Sequence, residues 1–80
     1  MSASAARLRF AAHVRRLRKA AWISQEELGE RAGIHRTYIG AIERGEANVT
    51  LDHMQKLADA LKVDVGALLR LPDQPAPIPE

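Results

Sequence analysis

The sequence predicts an all-α protein, a single small domain built from five short helices. Strand signals are nearly absent: the 80 residues hold no alternating β-branched run and no Asn-Gly hairpin pair. Apolar residues instead recur at helical spacing from start to end. Ser4, Ser24, Thr50 and Asp64 stand where helix caps are needed. A chain this short buries only about 60% of its unfolded surface, so one marginal core is expected. No cysteine is present to add a disulfide or a thiolate zinc site, and an oligomer would supply the missing burial.

Ser4 caps a first helix running to about Ala21, with Phe10, Val14, Leu17 and Ala21 on one stripe and the arginines mostly off it. Ser24 and Glu27 form a capping box, the hydroxyl taking an orphan N–H and the glutamate reaching back, so a second helix opens at Gln25. Gly33 ends it through a left-handed cap. A third helix follows from about His35 to Arg44 and closes at Gly45. Thr50 caps a fourth, with Leu51, Met54, Leu57, Ala58 and Leu61 on its apolar stripe. Asp64 caps a short fifth, with Val65, Leu68 and Leu69 apolar, and Pro72 stops it. Residues 1–71 are thus expected to form the domain. Residues 72–80, with four prolines, are expected to be a poorly ordered tail.

The net charge is only +2, but its distribution is uneven. Met1 to Gln25 carries six basic residues and no acidic one, whereas the remainder carries six basic and ten acidic. One end is expected to face a polyanion, with nucleic acid the first candidate and a solvated basic face the plain alternative. A secretory h-region and a membrane-length apolar run are both missing, and a soluble, cytoplasmic protein is expected. His13 and His53 are read as surface residues. Without thiols or HxxxH spacing no metal site is expected, nor any cofactor or catalytic site, Ser24 being a cap.

On the third helix, Ile39 and Ile42 face one way with Tyr38 at the flank. Arg36, Thr37, Gly40, Ala41 and Arg44 face the other. Glycine inside a helix costs about 1 kcal/mol relative to alanine, so Gly40 is expected to permit close approach. Arginine pairs with guanine O6 and N7, and Ala and Thr methyls meet the thymine methyl, which suits a helix in a DNA major groove. Packing against a partner protein would also favour small residues.

The stretch Gln25 to Gly45 resembles the helix-turn-helix of the Cro and lambda-repressor-like (Xre) family. Leu28, Ala32, Ile34, Ile39 and Ile42 match its apolar positions, Gly29 its small residue and Gly33 its turn, and the resemblance spans roughly Val14 to Leu69. Arg36-Thr37-Tyr38-Ile39 followed by Ile42-Glu43-Arg44 is most similar to the controller proteins of restriction–modification systems.

The resemblance implies a five-helix lambda-repressor-like fold and a homodimeric transcription regulator on a pseudo-palindromic operator. It implies that Gln25 binds backbone phosphate, that His35, Arg36, Thr37 and Ala41 occupy base-contacting positions, and that Arg18 pairs with Glu43. Arg36 is the first choice for guanine. Tyr38 and Arg44 suit phosphate or sugar, and Asn48 and Thr50 suit the DNA backbone. The fourth and fifth helices would form the dimer interface through Leu61, Val63, Val65 and Leu69. Glu26 and Glu30 match an acidic face that touches RNA polymerase in related repressors. His35 reads equally as an N-cap, and Tyr38 also as a core edge.

Two positions depart from the family pattern. Trp22 replaces a glycine, so the first helix is expected to end differently, with the indole covering the core or a neighbouring subunit. Gly40 replaces a polar residue, which removes any family rule for base preference there. An antitoxin of a toxin–antitoxin pair is an alternative reading, weakened by the short, weakly apolar tail; a helical protein-interaction module is another.

Overall fold

The computed structural model describes residues 3–71 and 78. Four α-helices follow one another: α1 (Ala5–Ala20), α2 (Gln25–Ala32), α3 (Arg36–Glu43) and α4 (Leu51–Leu61). The described residues contain no strand. The expected fifth helix is a 3-10 segment, Val65–Leu69, rather than an α-helix. Its five residues are too few for an α-helix to gain by propagation, and the Asp64 carboxylate caps it by accepting from the Gly66 N–H at 2.9 Å. The expected tail lies, apart from Ile78, outside the described residues.

The caps form as the sequence suggests, with one exception. Ser4, Ser24 and Thr50 accept from the backbone N–H groups of Arg7, Glu27 and His53 at 3.1, 3.0 and 3.1 Å. The second half of the Ser24 box is replaced. Glu27 accepts from Arg31 at 2.6 Å, one turn along α2, instead of reaching back.

One core joins all the elements. Val14 and Leu17 of α1, Leu28 of α2, Ile39 and Ile42 of α3, Leu57 of α4 and Leu68 are its largest fully buried side chains. Ala21 is not on the buried stripe, because it is the exposed C-cap of α1. Leu51 is 76% exposed, since the first residue of α4 lies beyond the packed face. Leu61 is buried in the core and so leaves only Val63, Val65 and Leu69 of the expected interface set outside it. His13 is also not a surface residue: it is buried, and its Nε2 lies 3.0 Å from the Arg70 carbonyl, tying α1 to the chain beyond the 3-10 segment. His53 is half-buried, with its ring edge-on to Tyr38 at 5.3 Å and its Nδ1 without a hydrogen-bond partner.

The angle between α2 and α3 rests on two glycines. A Cβ on Gly29 would lie 2.3 Å from the Ile34 carbonyl oxygen, so only glycine lets the turn close against α2. Gly33 takes φ 71°, and the Ile34 N–H then reaches the Gly29 carbonyl at 2.8 Å.

Trp22 does not change how α1 ends. It adopts φ 59°, the conformation glycine would take, and is 94% exposed, so the indole covers no part of this chain's core. The turn is held from both sides: Ile23 is buried, and its carbonyl accepts from Arg18 Nη1 at 3.0 Å. Those contacts impose the left-handed backbone on a residue that disfavours it.

Candidate nucleic-acid interface

His35 caps α3. Its Nδ1 accepts from the Thr37 N–H at 3.1 Å, which fixes the imidazole at the helix entrance. Both readings of His35 therefore meet at one place, because the ring is exposed beside Arg36 and Thr37. These three residues form the exposed start of α3. Tyr38 is half-buried against the core and touches His53, as a core edge would.

The outer face of α3 is less open than its helical wheel suggests. Gly40 is buried, and a Cβ there would meet Arg44 Nη1 at 3.1 Å and Gln25 Oε1 at 3.4 Å. The side chains of Gln25 and Arg44 lie over it, so the glycine makes room for them. Ala41 is half-buried and packed against the core. The expected smooth patch therefore reduces to Arg36 and Thr37 at one end and Arg44 at the other.

Arg18 and Glu43 do pair. Nε–Oε2 is 2.7 Å and Nη2–Oε1 is 3.0 Å, a bidentate contact with the side chains 13% and 4% exposed. The Glu43 hydrogen bond pushes the Arg18 guanidinium above its ordinary value, against the opposing effect of burial. Gln25 joins the pair by donating Nε2 to Glu43 Oε1 at 3.2 Å. The end of α1, the start of α2 and the end of α3 thus converge on one carboxylate. Gln25 has one amide hydrogen left beside the first-turn N–H groups of α2.

The remaining expected contacts lie around this frame. Arg44 is exposed and pairs with Glu46 at 2.6 Å. Asn48 is exposed, and Thr50 accepts from the His53 N–H while keeping its own hydroxyl hydrogen. Glu30 is exposed on α2. Glu26 is engaged: it accepts from Arg36 Nη1 at 2.6 Å, bridging the first turn of α2 to the first residue of α3. Arg15 and Lys19 belong to the basic stretch expected to face a polyanion, but the sequence did not single them out as contacts. They share a shallow groove with Arg44, where α1 runs beside the end of α3. Their i, i+4 spacing was the available signal.

Among the described residues no helix is long and apolar enough to cross a membrane. A helix-turn-helix family model matches residues 14–68. The control protein C.SmaI of Serratia marcescens is 51% identical over 59 residues, which cover 74% of this chain and 70% of that protein. The crystal structure of the restriction-modification controller protein C.AhdI from Aeromonas hydrophila superposes with a TM-score of 0.74 at 40% identity, covering 78% of this chain and 90% of that one. The solution structure of the P22 c2 repressor DNA-binding domain superposes with a TM-score of 0.75 at 27% identity, covering 92% and 91%. This chain belongs to the Xre-type helix-turn-helix family of DNA-binding transcription regulators.

Proposed function

We propose that this protein binds a pseudo-palindromic operator as a homodimer and controls transcription of a restriction–modification system. The observation that carries the reading is the exposed start of α3, with Arg36 and Thr37 exposed beside the His35 cap on a helix pair whose turn Gly29 and Gly33 permit. The 51% identity to the control protein C.SmaI supports the controller role. We assign the DNA-binding unit to residues 1–71; Ile78, the one described residue beyond them, lines a groove with Ala20, Ala21 and Ala60.

A single copy measures 30 × 26 × 20 Å, and α3 has eight residues, about 12 Å of helix. Two recognition helices one duplex turn apart need a spacing of about 34 Å, which a single copy of this fold does not supply. Val63, Val65 and Leu69 remain the interface candidates, Leu61 being part of the core. Arg36 pairs with guanine, and Thr37 packs on a neighbouring base. Gln25, Tyr38, Arg44, Asn48 and Thr50 take backbone contacts, with Arg15 and Lys19 added from α1. Gly40 acts beneath Gln25 and Arg44 rather than against a base, and Ala41 borders the reading face. The exposed Glu30 is the residue through which RNA polymerase contact is best tested, because Glu26 is tied to Arg36.

Selection of bound duplexes from a random library, followed by titration at two salt concentrations, tests this function. The expected product is a two-fold related site, with specific binding falling steeply as salt rises. Arg36→Ala should cost about 1–3 kcal/mol on that site and much less on random duplex. Equal losses on both would make Arg36 a phosphate contact. A monomer in analytical ultracentrifugation, unchanged on operator, would remove the dimer.

A further inference from the structure

We infer that Glu26 is a specificity-determining residue, one that acts by positioning the Arg36 guanidinium; the inference rests on the DNA-reading role proposed for Arg36. The contact is Nη1–Oε2 at 2.6 Å, between side chains 64% and 58% exposed. An exposed pair of this kind contributes little to stability, so its effect lies in where it holds the arginine. Free in solvent, a side chain as long as arginine samples many rotamers, and docking on one base must then order them. With Nη1 committed to Glu26, the guanidinium still offers its Nε and Nη2 hydrogens as a parallel edge. That edge has the geometry that matches guanine O6 and N7.

The charge of Glu26 acts on every duplex alike. A carboxylate beside the reading face is repelled by the phosphates of any duplex, so this effect lowers affinity without changing the ratio between sites. The selectivity assigned to Glu26 therefore comes from the ordered guanidinium alone. Glu30, on the same helix and exposed, makes no such bond to α3 and provides the charge-matched control.

The test measures Kd on the selected operator and on the duplex altered at the base pair whose discrimination Arg36→Ala abolishes. Glu26→Ala should lower the ratio of the two affinities about two- to fivefold, the most that an exposed ion pair can bias the arginine. Glu26→Gln, which keeps an acceptor oxygen at the same reach, should recover most of the ratio. Glu30→Ala should tighten both duplexes alike and leave the ratio unchanged. In an Arg36→Ala background, Glu26→Ala should change the ratio no further. If Glu26→Ala instead tightens both duplexes equally, or acts just as strongly without Arg36, Glu26 is only a repulsive charge and the inference fails. A wild-type protein that binds every duplex alike would overturn the DNA-reading role itself, a separate outcome.

Discussion

Replacing Trp22 with glycine should stabilise the protein, although it deletes the largest side chain in the sequence. Trp22 sits at φ 59°. For an L-residue the left-handed conformation costs roughly 1–2 kcal/mol, a penalty glycine does not carry. Little burial is lost, because the residue is 94% exposed. The backbone bonds of the turn, Trp22 N–H to Lys19 at 3.0 Å and Ile23 N–H to Arg18 at 3.4 Å, do not involve the indole. Glycine gains freedom in the unfolded chain, which returns about 0.5–1 kcal/mol. The net expectation is about 1 kcal/mol of added stability, or a Tm higher by about 4–8 °C for a domain of this size. Far-UV circular dichroism is the suitable probe, since the variant has no tryptophan left. Chain concentration must be fixed, because self-association would shift the midpoint. Lys62, the C-cap of α4 at φ 62°, is an internal control, and Lys62→Gly should move the same way. A Tm that falls by several degrees in Trp22→Gly alone would refute the strain argument. If that fall grew with chain concentration, the indole would be buried against a second copy.

Gly29→Ala should destabilise by more than the 1–3 kcal/mol usual for overpacking, because its Cβ would meet backbone 2.3 Å away; urea unfolding and operator affinity should both suffer. Glu43→Gln leaves the Arg18 charge largely buried with a weaker acceptor. A loss approaching about 3 kcal/mol is expected, and a change under about 0.5 kcal/mol in urea titration would show that solvent replaces the pair. Glu30→Lys should preserve operator binding while reducing activated in-vitro transcription, if α2 touches the polymerase; unchanged activation with intact binding counts against that contact.

Much of the fold was readable because its local signals agree. Ser4, Ser24 and Thr50 cap where the apolar periodicity begins, and Gly33 and Gly45 adopt the left-handed conformations their positions demand. What escaped depends on residues distant in sequence. The environment of His13 is set by the carbonyl of Arg70, 57 residues later. Gly40 looks open on a helical wheel, yet side chains from α2 and from the end of α3 close over it. The Glu26–Arg36 pair joins residues ten apart on two different helices, and no spacing rule within one helix reveals it. Trp22 shows the opposite case. A steric preference read correctly gave the wrong ending for α1, because Ile23 burial and the Arg18 hydrogen bond outweigh it.

The Glu43 carboxylate gathers Arg18 from α1 and Gln25 from α2 onto the last turn of α3. Three helix ends pinned at one point leave the reader little room to tilt or slide. Such a protein meets DNA with few internal degrees of freedom to lose, which favours affinity. It also cannot remodel itself to suit an imperfect half-site. Any adjustment of groove width, twist or bend then falls to the duplex, and the stiffness of base steps the protein never touches becomes part of what it recognises.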